Sequence, residues 1–115
     1  MGILKPINKL RVSRRATKYL DEYFKKTGLR PNILARNAMM FSISNGDLYN
    51  ELLKPSSDGK DFNLYTLFGE HEDLLLSLLQ YYYQDWKDEI PVADIINFHI
   101  EKGIMNDEFL LKLGV

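Results

Sequence analysis

The chain contains no cysteine and only two histidines in 115 residues. Without thiols there are no disulfides, no thiolate metal sites and no cysteine nucleophile or redox pair, a composition that fits a cytoplasmic protein. No stretch approaches the roughly 18 uncharged apolar residues of a membrane span, and the N-terminal apolar run is too short for a signal peptide. The expectation is a soluble, unanchored protein. The seven glycines do not fall at the spacing of a P-loop or a dinucleotide fingerprint, so nucleotide binding has no support and no cofactor is expected. Nor does any nucleophile–base pair stand at a recognised spacing, and the chain reads as a non-enzyme. His71, beside Glu70, Glu72 and Asp73, has the residue types of a metal site. An acid-rich helix start explains the same residues, because carboxylates favour the positive end of a helix dipole. His99 falls in the middle of an apolar stripe and reads as a hydrogen-bonded core histidine, not a ligand.

What is present begins with an uneven distribution of charge. The formal net charge is −1, yet residues 1–41 hold ten basic and two acidic side chains, a balance of +8. Residues 42–115 hold five basic and fourteen acidic ones, a balance of −9. A polyanion meets the local field and not the sum, so a basic segment binds phosphates even in a slightly acidic protein. The bland alternative is that the two parts neutralise each other in the fold. With 45% hydrophobic residues, the chain supports a single domain, 1–115, with its own core.

Local patterns predict a mainly α fold: a compact domain of about four helices preceded by a short strand. From Ile7 to Ser13, Ile7, Lys9 and Arg11 alternate against Asn8, Leu10 and Val12 at the strand period of two. Ser13 is a natural N-cap for a helix to about Lys26, and Gly28 suits the left-handed position after it. In that helix Ala16, Leu20, Tyr23 and Phe24 share one face and Arg14, Lys18 and Lys25 the opposite one. Pro31 opens a second helix, about Asn32 to Ser44, apolar on nearly all sides. A loop runs from Asn45-Gly46 through Lys60, and Phe62 to Leu67 reads as weakly extended. A third helix is expected from Glu70 to about Trp86, and a fourth after Pro91, ended by Gly103. A short helix, Asp107 to Leu113, closes the chain. Tyr81, Tyr82, Tyr83 and Trp86 belong to the acidic part and read as core or subunit packing. The amount of apolar helix surface in so short a chain points to a homo-oligomer.

A strand with Lys9 and Arg11, a basic helix, a glycine turn and a second helix opening near Arg30 follow the element order of ribbon-helix-helix DNA binders. That likeness of the N-terminal half leaves two alternatives open: a repressor reading an operator through Lys9 and Arg11, and a scaffold that holds partner proteins by its acidic half. Charge and helical phase select Arg14, Lys18, Lys25 and Lys26 as DNA contacts, with Lys9, Arg11 and Arg30 behind them. Lys25 and Lys26 also sit where the helix dipole favours cations, which is a structural reason for their presence.

Three groups of residues resemble one known family in order and spacing. They are Leu10-Arg11-Val12-Ser13 with Lys26-Thr27-Gly28-Leu29, Pro31-Asn32-Ile33 and Ala35-Arg36; then Thr66-Leu67-Phe68-Gly69-Glu70-His71; then His99-Ile100 and Lys102-Gly103-Ile104. Together they resemble the DndE proteins of bacterial DNA sulfur modification over about residues 10–104. The resemblance implies a helical, tetrameric protein that binds double-stranded DNA, with a preference for nicks, through surface lysines. It also implies that the protein works beside the other DNA sulfur modification proteins, which replace a non-bridging phosphate oxygen with sulfur. Within the motifs, Thr66 is expected to cap a turn, Gly69 to permit a tight entry and His71 to anchor a helix start.

Overall fold

The computed structural model describes residues 3–4, 9–87 and 89–114. Strand β1 (Ile3–Leu4) pairs in parallel with β4 (Ile90–Pro91), and β2 (Lys9–Arg11) pairs antiparallel with β3 (Asp61–Asn63). Helices α1 (Arg14–Thr27) and α2 (Pro31–Ser44) follow β2. After β3 come α3 (Leu64–Phe68), α4 (Glu72–Tyr82), α5 (Val92–Ile104) and α6 (Asp107–Leu113). The strand expected from Ile7 is seen from Lys9 on; its first two residues lie outside the described residues.

Local chemistry sets the first two helices. The Ser13 hydroxyl accepts from the Ala16 amide at 2.9 Å, and Gly28 closes α1 at φ +78°, its N–H donating to the Phe24 carbonyl at 2.8 Å. Ala16, Leu20 and Tyr23 are buried as phase predicts, whereas Phe24, expected with them, is 43% exposed at the margin of that face. Pro31 occupies the first turn of α2, where its missing N–H would have had no partner.

The core is built on α2 against α5. Leu34, Ala35, Ala38, Met39 and Ile43 face Ile95, Ile96, Ile100 and Ile104, all buried. Gly103 does not end α5, as its residue type suggested; the helix continues through Ile104 to a cap at Met105. A Cβ on Gly103 would lie 1.9 Å from the Ala38 carbonyl oxygen, so this glycine is a contact point between two backbones.

At the centre of this core His99 is fully buried. Its Nδ1 lies 2.7 Å from Ser42 Oγ and its Nε2 2.7 Å from Tyr83 Oη. Ser42 donates its proton to Asp47 at 2.9 Å, and Tyr83 Oη accepts the Tyr49 amide at 2.9 Å. These partners leave one consistent arrangement: Nδ1–H donates to Ser42, and Nε2 accepts from Tyr83. His99 is therefore neutral, and burial pushes its pKa down to about 4, against a smaller opposing pull from Asp47.

The middle of the chain departs from expectation. The segment from Phe62 is extended only to Asn63, whose side-chain oxygen accepts the Tyr65 amide at 2.8 Å and starts α3. Asn63, not Thr66, is the cap. Gly69 takes φ +62° and separates α3 from α4, so the expected long helix from Glu70 becomes a 3-10 turn, Gly69–His71, followed by α4. It stops at Tyr82, with Tyr83 and Trp86 beyond it. His71 makes no capping bond and is exposed, which corrects its expected role as an anchor.

Candidate nucleic-acid interface

The pairing of β2 with β3 decides which basic residues are available. Leu10 and Phe62 point inward while Lys9, Arg11, Asp61 and Asn63 point outward. Arg11 sits opposite Asp61 in the register and forks onto its carboxylate, Nε at 2.8 Å and Nη2 at 3.1 Å. That contact holds the Asp61 carboxyl below the usual carboxylate range. The ladder then continues past the strand, Val12 N–H to the Lys60 carbonyl and Gly59 N–H to the Val12 carbonyl. Gly59 presses on the start of α1 so closely that a Cβ would stand 2.4 Å from the Ser13 carbonyl oxygen. This contact brings Asp58 over the first turn of α1, where its carboxylate accepts the Arg14 amide at 2.9 Å and lies 3.9 Å from the Arg14 guanidinium. The hydrogen bond from that amide is the main reason the Asp58 carboxyl is lowered.

The cancellation between the two parts of the chain is thus realised at its edge. Arg11 and Arg14 face acids from the second part, and Lys60 reaches back to Asp21 at 3.5 Å. Arg36 is structural: its Nε donates to the Leu67 carbonyl at 2.6 Å, tying α2 to α3. Lys26 pairs with Glu22 one turn earlier, at 3.6 Å, and lies 5.9 Å from the Tyr23 ring centre. Among the described residues Lys9, Lys18, Lys25 and Arg30 make no ion pair and are exposed. Arg14, Lys18 and Lys25 fall within about 40° of one another around α1, opposite its buried face. Arg30 follows at the N-cap of α2. The row picked out by helical phase is therefore one surface, with Arg14 partly neutralised and Lys26 turned to its flank, while Arg11 is engaged elsewhere.

A second cluster of cations escaped the sequence reading. Arg15, Lys54 and Lys102 line one groove of about 470 Å³ between the start of α1, the turn after Leu52 and the end of α5. They stand at least 39 positions apart in sequence, and no local pattern links them. Arg15 and Met105 also line a neighbouring groove with Lys18, Tyr19 and Glu22.

The aromatic group divides: Tyr83 is buried, Tyr82 and Trp86 pack partly against the core, and Tyr81 is 69% exposed. Tyr81 lies on α4 in a row with exposed Leu74 and Leu78. Among the described residues no three His, Asp or Glu side chains gather in a metal-ligating group, and no helix is long and apolar enough to cross a membrane.

A family model described as DNA sulphur modification protein DndE matches residues 9–108. The chain belongs to the DndE family. The crystal structure of DndE from Escherichia coli B7A, involved in DNA phosphorothioation modification, is similar at TM-score 0.72 and 26% identity. The match covers 87% of this chain and 96% of that one. A DndE mutant with glycines changed to lysine, also involved in DNA phosphorothioation, has the same fold at TM-score 0.74 and 24% identity, with the same coverage of both chains. No curated protein sequence matches this chain. The family places the protein in DNA sulfur modification.

Proposed function

We propose that this DndE-family protein is a non-enzymatic DNA-binding component of phosphorothioate modification. In this reading it grips duplex DNA by the outer face of α1 and prefers nicked sites. The observation that carries it is the row of exposed cations, Arg14, Lys18 and Lys25, set opposite the buried Ala16, Leu20 and Tyr23 and continued by Arg30. Lys26 flanks the row, and Lys9 is a further exposed cation on β2. Such a surface neutralises phosphates without reading bases, so binding is independent of sequence and steeply dependent on salt.

A nick is a hinge. Several copies with basic faces would hold the two flanking duplexes at an angle that intact DNA reaches only with bending energy. The exposed row Leu74, Leu78 and Tyr81 on α4 supports assembly into a homo-oligomer, four copies in the proposed form. The same apolar row beside Glu70, Glu72 and Asp73 also favours a second reading, a scaffold that docks other modification proteins in the cytoplasm. A repressor using Lys9 and Arg11 has less support, because β2 is paired within the chain and Arg11 is held by Asp61.

The test is binding to intact and nicked duplexes of one sequence across a salt series, for the natural protein and a Lys18→Gln, Lys25→Gln, Arg30→Gln variant. Each lost phosphate contact lowers the slope of log affinity against log salt by about 0.9, so the variant is expected to lose between about 2 and 3. Equal slopes in the two proteins would remove α1 from the interface, and equal affinity for both duplexes would remove the nick preference.

A further inference from the structure

The groove at the start of α1 has a lining that duplex binding leaves unexplained. Leu52 is 91% exposed, Leu53 55% and Met105 38%, and beside them stand Arg15, Lys54 and Lys102 from three separate elements. A duplex turns phosphate and sugar outward and keeps its bases stacked, so exposed leucines gain little from it. An unpaired nucleotide offers both a flat apolar face and a phosphate, and proteins that hold single strands combine aromatic platforms with a cationic track, the aromatic member here being Tyr19 in the adjoining groove. The groove's volume of about 470 Å³ falls within the range of about 300–1,000 Å³ usual for small-ligand sites.

We propose that this groove holds unpaired nucleotides of one DNA strand, the strand end released at a nick or gap. The bases lie against Leu52, Leu53 and Met105, and the phosphates follow Arg15 and Lys102. Lys54 is partly committed, its ammonium 3.2 Å from Asp94. The path has a continuation. Arg15 and Met105 are shared with the adjoining groove of about 500 Å³, which leads to Lys18 and Tyr19 on α1. Tyr19 is braced by Tyr23, ring centres 5.7 Å apart, and serves as the next platform. Two carboxylates border this track, and each has a partner: Glu101 accepts the Ser13 hydroxyl, and Glu22 is paired with Lys26. A strand leaving a duplex held on the outer row of α1 passes around the flank of the same helix into the groove. The proposal therefore rests on α1 facing DNA, although the two surfaces are separable by mutation.

The experiment measures binding of the full chain to an intact duplex, a nicked duplex, a nicked duplex bearing a short thymidine flap, and the free thymidine oligonucleotide. It compares a groove variant, Leu53→Ser with Lys102→Gln, and an α1 variant, Arg14→Gln with Lys25→Gln, at two residues that line neither the groove nor its continuation. All four side chains are exposed, and a thermal melt checks that each variant keeps its fold. The flap is expected to raise affinity about tenfold over the plain nick, the order of one stacked base. The groove variant loses that gain and binds intact duplex as the natural protein does, while the α1 variant weakens duplex binding itself. A flap that binds no tighter than the nick overturns the proposal, as does a groove variant that weakens intact duplex equally. Should no duplex bind while free thymidine oligonucleotide binds and the groove variant abolishes it, the duplex reading fails and the groove stands.

Discussion

Acidification is expected to destabilise this protein through one residue. His99 is neutral in the fold because Tyr83 donates to its Nε2, its own Nδ1–H is taken by Ser42, and burial pushes its pKa to about 4. In the unfolded chain the same imidazole titrates near its ordinary 6.5. The unfolded state thus binds a proton that the native state refuses between pH 6.5 and about 4. Stability is complete above that window and falls as pH descends through it, by about 3 kcal/mol in all. That is a large share of the 5–15 kcal/mol typical of a domain. A proton on Nε2 would also set N–H against the Tyr83 hydroxyl, whose oxygen already accepts the Tyr49 amide. The assay is urea unfolding at steps from pH 8 to 5, followed by the fluorescence of Trp86. Below pH 5 the carboxylates begin to titrate and mix into the signal. The control is His99→Gln, which is less stable throughout but carries no imidazole to titrate. If the natural protein is equally stable at pH 7 and pH 5, or if His99→Gln shows the same loss, the neutral-histidine account is refuted.

Other perturbations read other parts of the fold. Gly103→Ala drives a methyl into the Ala38 carbonyl and should destabilise by about 3 kcal/mol or more, seen as a fall in thermal midpoint with DNA sites untouched. Gly28→Ala leaves open space around the new methyl but forces alanine to φ +78°, a loss of about 1–2 kcal/mol by the same melt. Asp61→Asn frees Arg11 and removes a repelling charge; duplex affinity should rise, with a salt slope steeper by about 1, and no change would show that β2 lies away from DNA. Leu74→Glu with Tyr81→Glu should leave the monomer folded and reduce the mass measured by light scattering if α4 is the self-association face.

The parts of this protein legible in its sequence are those governed by neighbours a few residues apart. Ser13 bonds Ala16, Gly28 bonds Phe24, Pro31 opens α2, and a period of 3.6 places Arg14, Lys18 and Lys25 opposite Ala16, Leu20 and Tyr23. The family motifs added the biological setting, because their order along the chain is itself sequence information. The same local signals misled where a distant contact prevailed. Gly103 resembles a helix stop, yet it serves the approach of Ala38, 65 positions away. Thr66 resembles a cap, yet Asn63 takes that role and the Thr66 carbonyl receives Asn32. The basic half read as one field, until β3 set Asp61 against Arg11 and Gly59 carried Asp58 to Arg14. The groove of Arg15, Lys54 and Lys102 exists only because α1, the turn after Leu52 and α5 converge. Helical phase and capping act over one turn of chain, so the sequence determined α1, the start of α2 and the face that α1 presents. Charge pairing, close backbone approach and grooves depend on which distant segments the core draws together, and those the tertiary structure decided.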